Sequence, residues 1–326
     1  MKQERMSQRQ FFEYVEREMA ERFPEYDISI RELPKNNSVS HGLMVRNPEL
    51  EYCPSLKLDK YWMDYEKSEN PEDTMSMMLE EMGNVVERSY LDAEQVGIAK
   101  KTRDAIVNWR KYVQCSLVMK DGNEAFLSDK PHIPYLDMEK VYSIRLDDLV
   151  EGTSSKITIT NDQLNSMGCS LEELDQIAMD NTLRRDPPSI RSIASVLAEI
   201  VNMPEELFQT DCEELRVPMY VVTTESKYDG AAVILYKDVL DQICDALKTD
   251  KYYVLPSSRH EVICVPEESG RDVEALRAMV HEVNANEVPP EDLLSESVYQ
   301  YIRGQSLEIC GMEQEELPDE EPVLTM

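Results

Sequence analysis

The stretch Tyr252-Tyr253-Val254-Leu255-Pro256-Ser257-Ser258-Arg259-His260-Glu261-Val262-Ile263-Cys264-Val265 decides the fold class. Two short apolar runs, rich in aromatic and β-branched side chains, flank a polar joint with a proline and two serines. Runs this short read as strands rather than helices, and the short joint predicts an antiparallel pair. Upstream, Met219-Tyr220-Val221-Val222-Thr223 is a third run of the same kind, and Gly230 punctuates before the apolar segment 231–235. Val239, Leu240, Ile243 and Leu247 then recur at helical spacing. Downstream, Val273, Leu276, Met279, Val280 and Val283 mark a second helix over 272–283, and residues 298–302 predict an edge strand.

The rest of the chain is read outward from this block. Phe11, Phe12, Val15 and Met19 predict an amphipathic helix over 7–22, with Ser7 as its cap and Pro24 as its stop. Residues 26–33 and 39–45 alternate like half-buried strands around Pro34-Lys35-Asn36-Asn37, a turn in which asparagine tolerates left-handed backbone. A third extended piece is expected at 55–58. Asn70-Pro71-Glu72-Asp73 opens a helix with a cap, a first-turn proline and acids at the positive dipole end. Met75, Met78 and Met82 on that helix read as core. A further helix is expected at 94–110, a strand at 112–119, an irregular connection at 132–137, and strands at 141–146 and 157–160. Ser170-Leu171-Glu172-Glu173 opens a helix, Pro187-Pro188 breaks the chain, and 190–201 reads as helical. Strands and helices alternate without a βαβ period. The expectation is α+β: two lobes of antiparallel sheet with helices packed on one face. The first lobe is expected at 1–110 (helix, hairpin, strand, helix) and the second at 111–303. Residues 304–326 read as a disordered acidic tail, with six acids and two prolines from Glu313 onward.

The 65 acidic and 34 basic residues set a net charge of −31, which repels phosphate backbones and argues against direct DNA or RNA binding. An acidic DNA mimic is the sharper reading of that charge, but the acids are spread along the chain, so a solubilising surface is preferred. No run approaches the ~20 apolar residues of a membrane helix, and the first residues lack the apolar core of a signal peptide. The seven cysteines are scattered, without CxxC spacing, which argues against zinc or a disulfide framework and for a reducing cytoplasm. No cofactor is expected.

No phosphate-binding glycine loop, dinucleotide fingerprint or nucleophile elbow occurs. His260-Glu261 and His281-Glu282 begin like a zinc-protease motif, but Cys264 and Ala285 stand where the second histidine belongs. The best polar constellation is Ser257, Ser258, His260 and Glu261, with Tyr236 and Asn284 as further candidates for a binding site. A serine–histidine–carboxylate triad needs convergence in space, whereas neighbours on an extended chain alternate faces. The favoured reading is a hairpin turn whose hydroxyls bond local backbone. The loop Thr224-Glu225-Ser226-Lys227-Tyr228-Asp229-Gly230 is a weaker anion-site candidate, short of glycines.

These same residues carry a resemblance. Gly230-Ala231-Ala232-Val233-Ile234-Leu235-Tyr236 followed by Leu255-Pro256-Ser257-Ser258-Arg259-His260-Glu261-Val262-Ile263 resembles a bacterial domain-of-unknown-function family, number 5688. Pro131-His132-Ile133-Pro134-Tyr135-Leu136-Asp137 and Lys35-Asn36-Asn37 with Gly42-Leu43 are similar to it as well, so the likeness runs to about Arg303. Arg259 stands where the family leads one to expect an apolar residue. The resemblance implies a bacterial origin and brings no activity with it. The leading expectation is a non-enzymatic interaction or accessory protein with a protein partner. The alternative is an enzyme or small-ligand binder built on the Ser257 to Glu261 loop, and an acidic DNA mimic of a mobile element is third.

Overall fold

Ser7 opens α1 (Gln8–Arg22) by accepting from the Gln10 N–H while the Gln10 side chain accepts from the Ser7 N–H. Its apolar stripe, Phe11, Phe12, Val15 and Met19, is buried. The computed structural model describes residues 5–48, 53, 55–91, 93–146, 156–205, 219–270 and 272–311. Tyr26 leads into β1 (Asp27–Lys35), and a turn with Asn37 at φ +53° reverses the chain into β2 (Ser38–Arg46). β3 (Ser55–Lys57) pairs β2, so the first sheet runs β1-β2-β3, antiparallel throughout. α2 (Asp59–Lys67) and α3 (Pro71–Leu91) complete the core, where Phe11, Met19, Leu43, Leu58 and Met82 have almost no exposure. Burial of each such side chain stabilises by about 1.5–3 kcal/mol. Met75 and Met78 join that core.

α4 (Ala93–Val107) and the short α5 (Trp109–Tyr112) lead to β4 (Val113–Met119). α6 (Glu124–Leu127), β5 (His132–Tyr135), β6 (Met138–Arg145) and β7 (Lys156–Thr158) follow. The second sheet places β6 between β4 and β5, with β7 also paired to β6. α7 (Asn161–Met167), capped by Thr160, and α8 (Leu171–Arg185), capped by Ser170, close this part.

The last sheet has six strands: β8 (Pro188–Ser192), β9 (Tyr220–Thr224), β10 (Lys251–Ser258), β11 (Glu261–Pro266), β12 (Tyr299–Ile302) and β13 (Glu308–Ile309). Their order is β13-β12-β10-β11-β9-β8. Among the described residues, three α-helices accompany it: α9 (Ile193–Val201), α10 (Lys237–Leu247) and α11 (Val273–Asn286). Adjacent strand residues point to opposite faces. Tyr253, Leu255 and Val265 pack on Leu276 and Val280 of α11, whereas the Tyr252 hydroxyl reaches the Leu240 carbonyl of α10 at 3.0 Å. This sheet therefore carries helices on both faces, and the fold class is α+β with three antiparallel sheets.

The chain divides into two compact units, 1–187 with 289–293, and 188–288 with 294–326. Residue 110 falls inside the first. Within that unit the 289–293 segment is held by asparagines: Asn36 donates to the Glu291 carbonyl at 2.7 Å, and Asn37 to those of Pro290 and Leu293 at 2.9 and 2.8 Å.

Four sequence expectations are corrected. Residues 132–135 form strand β5 rather than an irregular connection. Pro134 is tolerated there because β5 is an edge strand. Residues 188–192 are strand β8, and helix begins only at Ile193, because Ser192 caps it by accepting from the Ser195 N–H. Residues 298–302 do not make an edge: β12 lies between β10 and β13. β13 itself lies in the segment read as tail, of which residues 312–326 are outside the described residues. α2 and α7, nine and seven residues long, went unread because so few turns give the apolar period little chance to repeat, and α7 buries no side chain fully.

Candidate functional site

The β10–β11 hairpin closes in a two-residue turn, Arg259-His260, with Ser258 opposite Glu261 and a bulge between Leu255 and Ser258. Against this turn lies the loop that follows β9. Lys227 and Asp229 both adopt left-handed backbone, φ +58° and +55°, and this folds the loop back on the hairpin. Hydrogen bonds join the two, among them the Thr223 hydroxyl to the His260 carbonyl at 2.6 Å, the Asp229 N–H to His260 Nδ1 at 3.1 Å, and the Ala231 N–H to the Arg259 carbonyl at 3.2 Å. Gly230 is required at the crossing, since a Cβ there would stand 2.1 Å from Thr223 Oγ1 and 2.5 Å from the His260 oxygen.

Side chains fill the same junction. The Arg259 guanidinium lies 3.4 Å from Asp229 Oδ1, both nearly buried, and 5.7 Å from the centre of the Tyr228 ring. Tyr228 in turn lies 5.2 Å from the His260 ring. Arg259 departs from the apolar residue that the resemblance suggests, and the buried Asp229 carboxylate supplies its reason for being there. Lys227, the cation of the anion-site reading, reaches Glu199 at 3.5 Å.

The sequence candidates therefore fall into three places. Ser258, His260 and Glu261 share the hairpin end, where the Ser258 hydroxyl accepts from the His260 backbone N–H at 3.0 Å. Because the Asp229 N–H donates to Nδ1, that nitrogen is an acceptor, and the neutral imidazole carries its proton on Nε2. The contact seen between serine and histidine is thus backbone to hydroxyl, the chemistry of a turn. Ser257 lies in the bulge of β10. Tyr236 stands just before α10, its carbonyl accepting from the Val239 and Leu240 N–H groups. Asn284 lies near the end of α11, beside Leu255 and Pro256.

Sequence reading missed a second polar concentration, on the sheet of the first unit. Gln114 pairs Ser143, Ser116 pairs Val141 and Val118 pairs Glu139, so these residues and Arg145 share one face. All of the polar ones are buried, Glu139 at 3 % exposure, and one Glu139 carboxylate oxygen and the Ser116 hydroxyl find no hydrogen-bond partner among the described residues. The opposite face meets α8, where Asp175 holds both the Lys140 ammonium at 2.5 Å and the Tyr142 hydroxyl at 2.9 Å. The strand sequence Met138-Glu139-Lys140-Val141-Tyr142-Ser143-Ile144-Arg145 contains the signal in its alternating Glu139, Ser143 and Arg145, but alternation alone does not tell a buried polar face from a solvated one.

Among the described residues no group of three or more His, Cys, Asp and Glu side chains converges as a metal centre, and no helix is long and apolar enough to cross a membrane. The chain belongs to a family of unknown function, DUF5688, whose model matches residues 8–303. No curated protein and no solved structure matches it.

Proposed function

We propose that this chain is a non-enzymatic interaction or accessory protein of the bacterial cytoplasm that meets a protein partner through α9. One observation carries the reading. α9 is almost wholly apolar, yet only Ala198 in it is buried, while Ile200, Val201 and Met203 are 72, 49 and 50 % exposed. Adjacent exposed apolar side chains of this kind mark association surfaces. The hairpin residues support the same reading, since Ser258 and His260 serve the local backbone.

The test is a photo-crosslinking residue at Ile200 in cells, with and without a neighbouring Val201→Asp change. A defined protein adduct that Val201→Asp abolishes, without loss of thermal stability, is the expected result. Absence of any adduct from well-folded protein counts against the proposal. An enzyme or ligand binder using the Ser257 to Glu261 loop would instead lose turnover or ligand affinity on Ser258→Ala. The DNA-mimic reading would instead yield an adduct with a DNA-binding protein.

A further inference from the structure

A cavity of about 530 Å3 opens in the first unit among Met6, Tyr14 of α1, Tyr65 of α2, and Glu72, Asp73 and Met75 of α3. Small-molecule sites run to roughly 300–1,000 Å3, so this volume admits an organic ligand. One side of the cavity belongs to the core of the unit: Tyr65 and Met75 are buried there, and Met6 and Tyr14 pack against them half-buried. The other side is acidic. Glu72 and Asp73 line it, and no lysine or arginine does among the described residues. Tyr65 adds a third feature. Its ring is held by Phe11 and Trp62, with centroids 5.1 and 5.9 Å away, and the residue is 3 % exposed. Its hydroxyl accepts from the Met6 N–H at 3.3 Å, and its own proton reaches no acceptor among the described residues.

These features select a ligand. Two carboxylates on a chain of net charge −31 repel anions and draw cations. The α3 dipole places roughly half a positive charge at this end of the helix, and the two carboxylates outweigh it. The aromatic and thioether side chains offer a polarisable apolar surface to a carbon body. A phenolic hydroxyl can donate one hydrogen bond while it accepts another, so Tyr65 has a proton to give to an oxygen of the ligand. An inorganic cation lacks the carbon body, and a simple alkylammonium lacks the oxygen. We infer that this cavity binds a small organic cation of the amino-alcohol class, with its ammonium group toward Glu72 and Asp73, its carbon body against Met6, Tyr14 and Met75, and its oxygen on the Tyr65 hydroxyl. The site is independent of the α9 surface and of the hairpin turn.

The test uses choline with two controls of the same shape. Propyltrimethylammonium has a methyl in place of the hydroxyl, and neohexanol has a carbon in place of the charged nitrogen. The purified full chain is titrated with each while the methyl signals of Met6 and Met75 are followed by NMR. Saturable shifts at both methyls are expected, with choline about fivefold tighter than either control, the effect of one hydrogen bond or of a partly exposed charge pair. Tyr65→Phe, which keeps the ring, is expected to lower choline to the affinity of propyltrimethylammonium. Glu72→Gln combined with Asp73→Asn is expected to lower it to that of neohexanol. No response at these methyls, or either control binding the unaltered chain as tightly as choline, overturns the inference.

Discussion

Arg259 and Asp229 show at the scale of single residues how a turn becomes rigid. Asp229 is held in left-handed backbone, a conformation that aspartate tolerates better than most residues, and its carboxylate is buried beside a guanidinium. Removing one partner of a buried pair leaves an uncompensated charge. Arg259→Leu is therefore expected to destabilise by roughly 3 kcal/mol, and the double change with Asp229→Asn to recover most of that loss. Urea unfolding of the four members of this cycle checks it, and equal losses from the single and double changes would contradict the pairing. Burial also pushes the Cys244 thiol up to about 11 and raises that of Cys264, so neither offers a thiolate near neutral pH.

At the scale of elements, the junction of β2 with α2 is tied by one carboxylate. Asp59 accepts from the Ser40 hydroxyl at 2.6 Å and the His41 N–H at 3.0 Å, and lies 2.8 Å from His41 Nδ1. Desolvation pushes the Asp59 carboxyl up, but the hydrogen bonds from Ser40 and His41 outweigh it and hold it below the usual range. A carboxyl lowered in the folded state stabilises fully above its unfolded value of about 3.9, and the contribution is lost as pH falls through the folded value. Asp59→Asn is thus expected to cost about 1 kcal/mol at pH 7, a modest figure because the group is partly exposed, and progressively less below pH ~4. Urea midpoints of both proteins at pH 7 and pH 3 test this, and a difference independent of pH would refute it.

Over the whole molecule, charge outweighs any single contact. A net −31 distributed along the chain makes the folded state repel itself, and salt screens that repulsion over about 10 Å at 0.1 M. Raising salt from about 0.02 to 0.5 M is expected to increase the melting temperature by several degrees. Duplex DNA is expected to show no complex in a mobility-shift assay at about 0.1 M salt. A falling melting temperature or a shifted DNA band would contradict this account of the surface.

What the sequence determined by itself was local. Ser7, Asn37 and Ser170 marked their caps and turn because a cap needs only its own first turn, and Val254 and Ile263 marked strands because their apolar runs are short. β5 and β8 were not legible, since Pro134 and Pro188 look like breaks until a neighbouring strand shows that they occupy edges. The polar candidates were found by type, but their partners were not. Asp229 is 31 positions from His260 in the chain and touches its ring nitrogen, and Ser295 is 11 positions from Asn284 and takes its amide. Only the tertiary structure decided those pairings, because a hydrogen bond across two elements depends on loop conformation, such as the left-handed Lys227 and Asp229, and on burial, which leaves the Asn284 oxygen without a donor among the described residues.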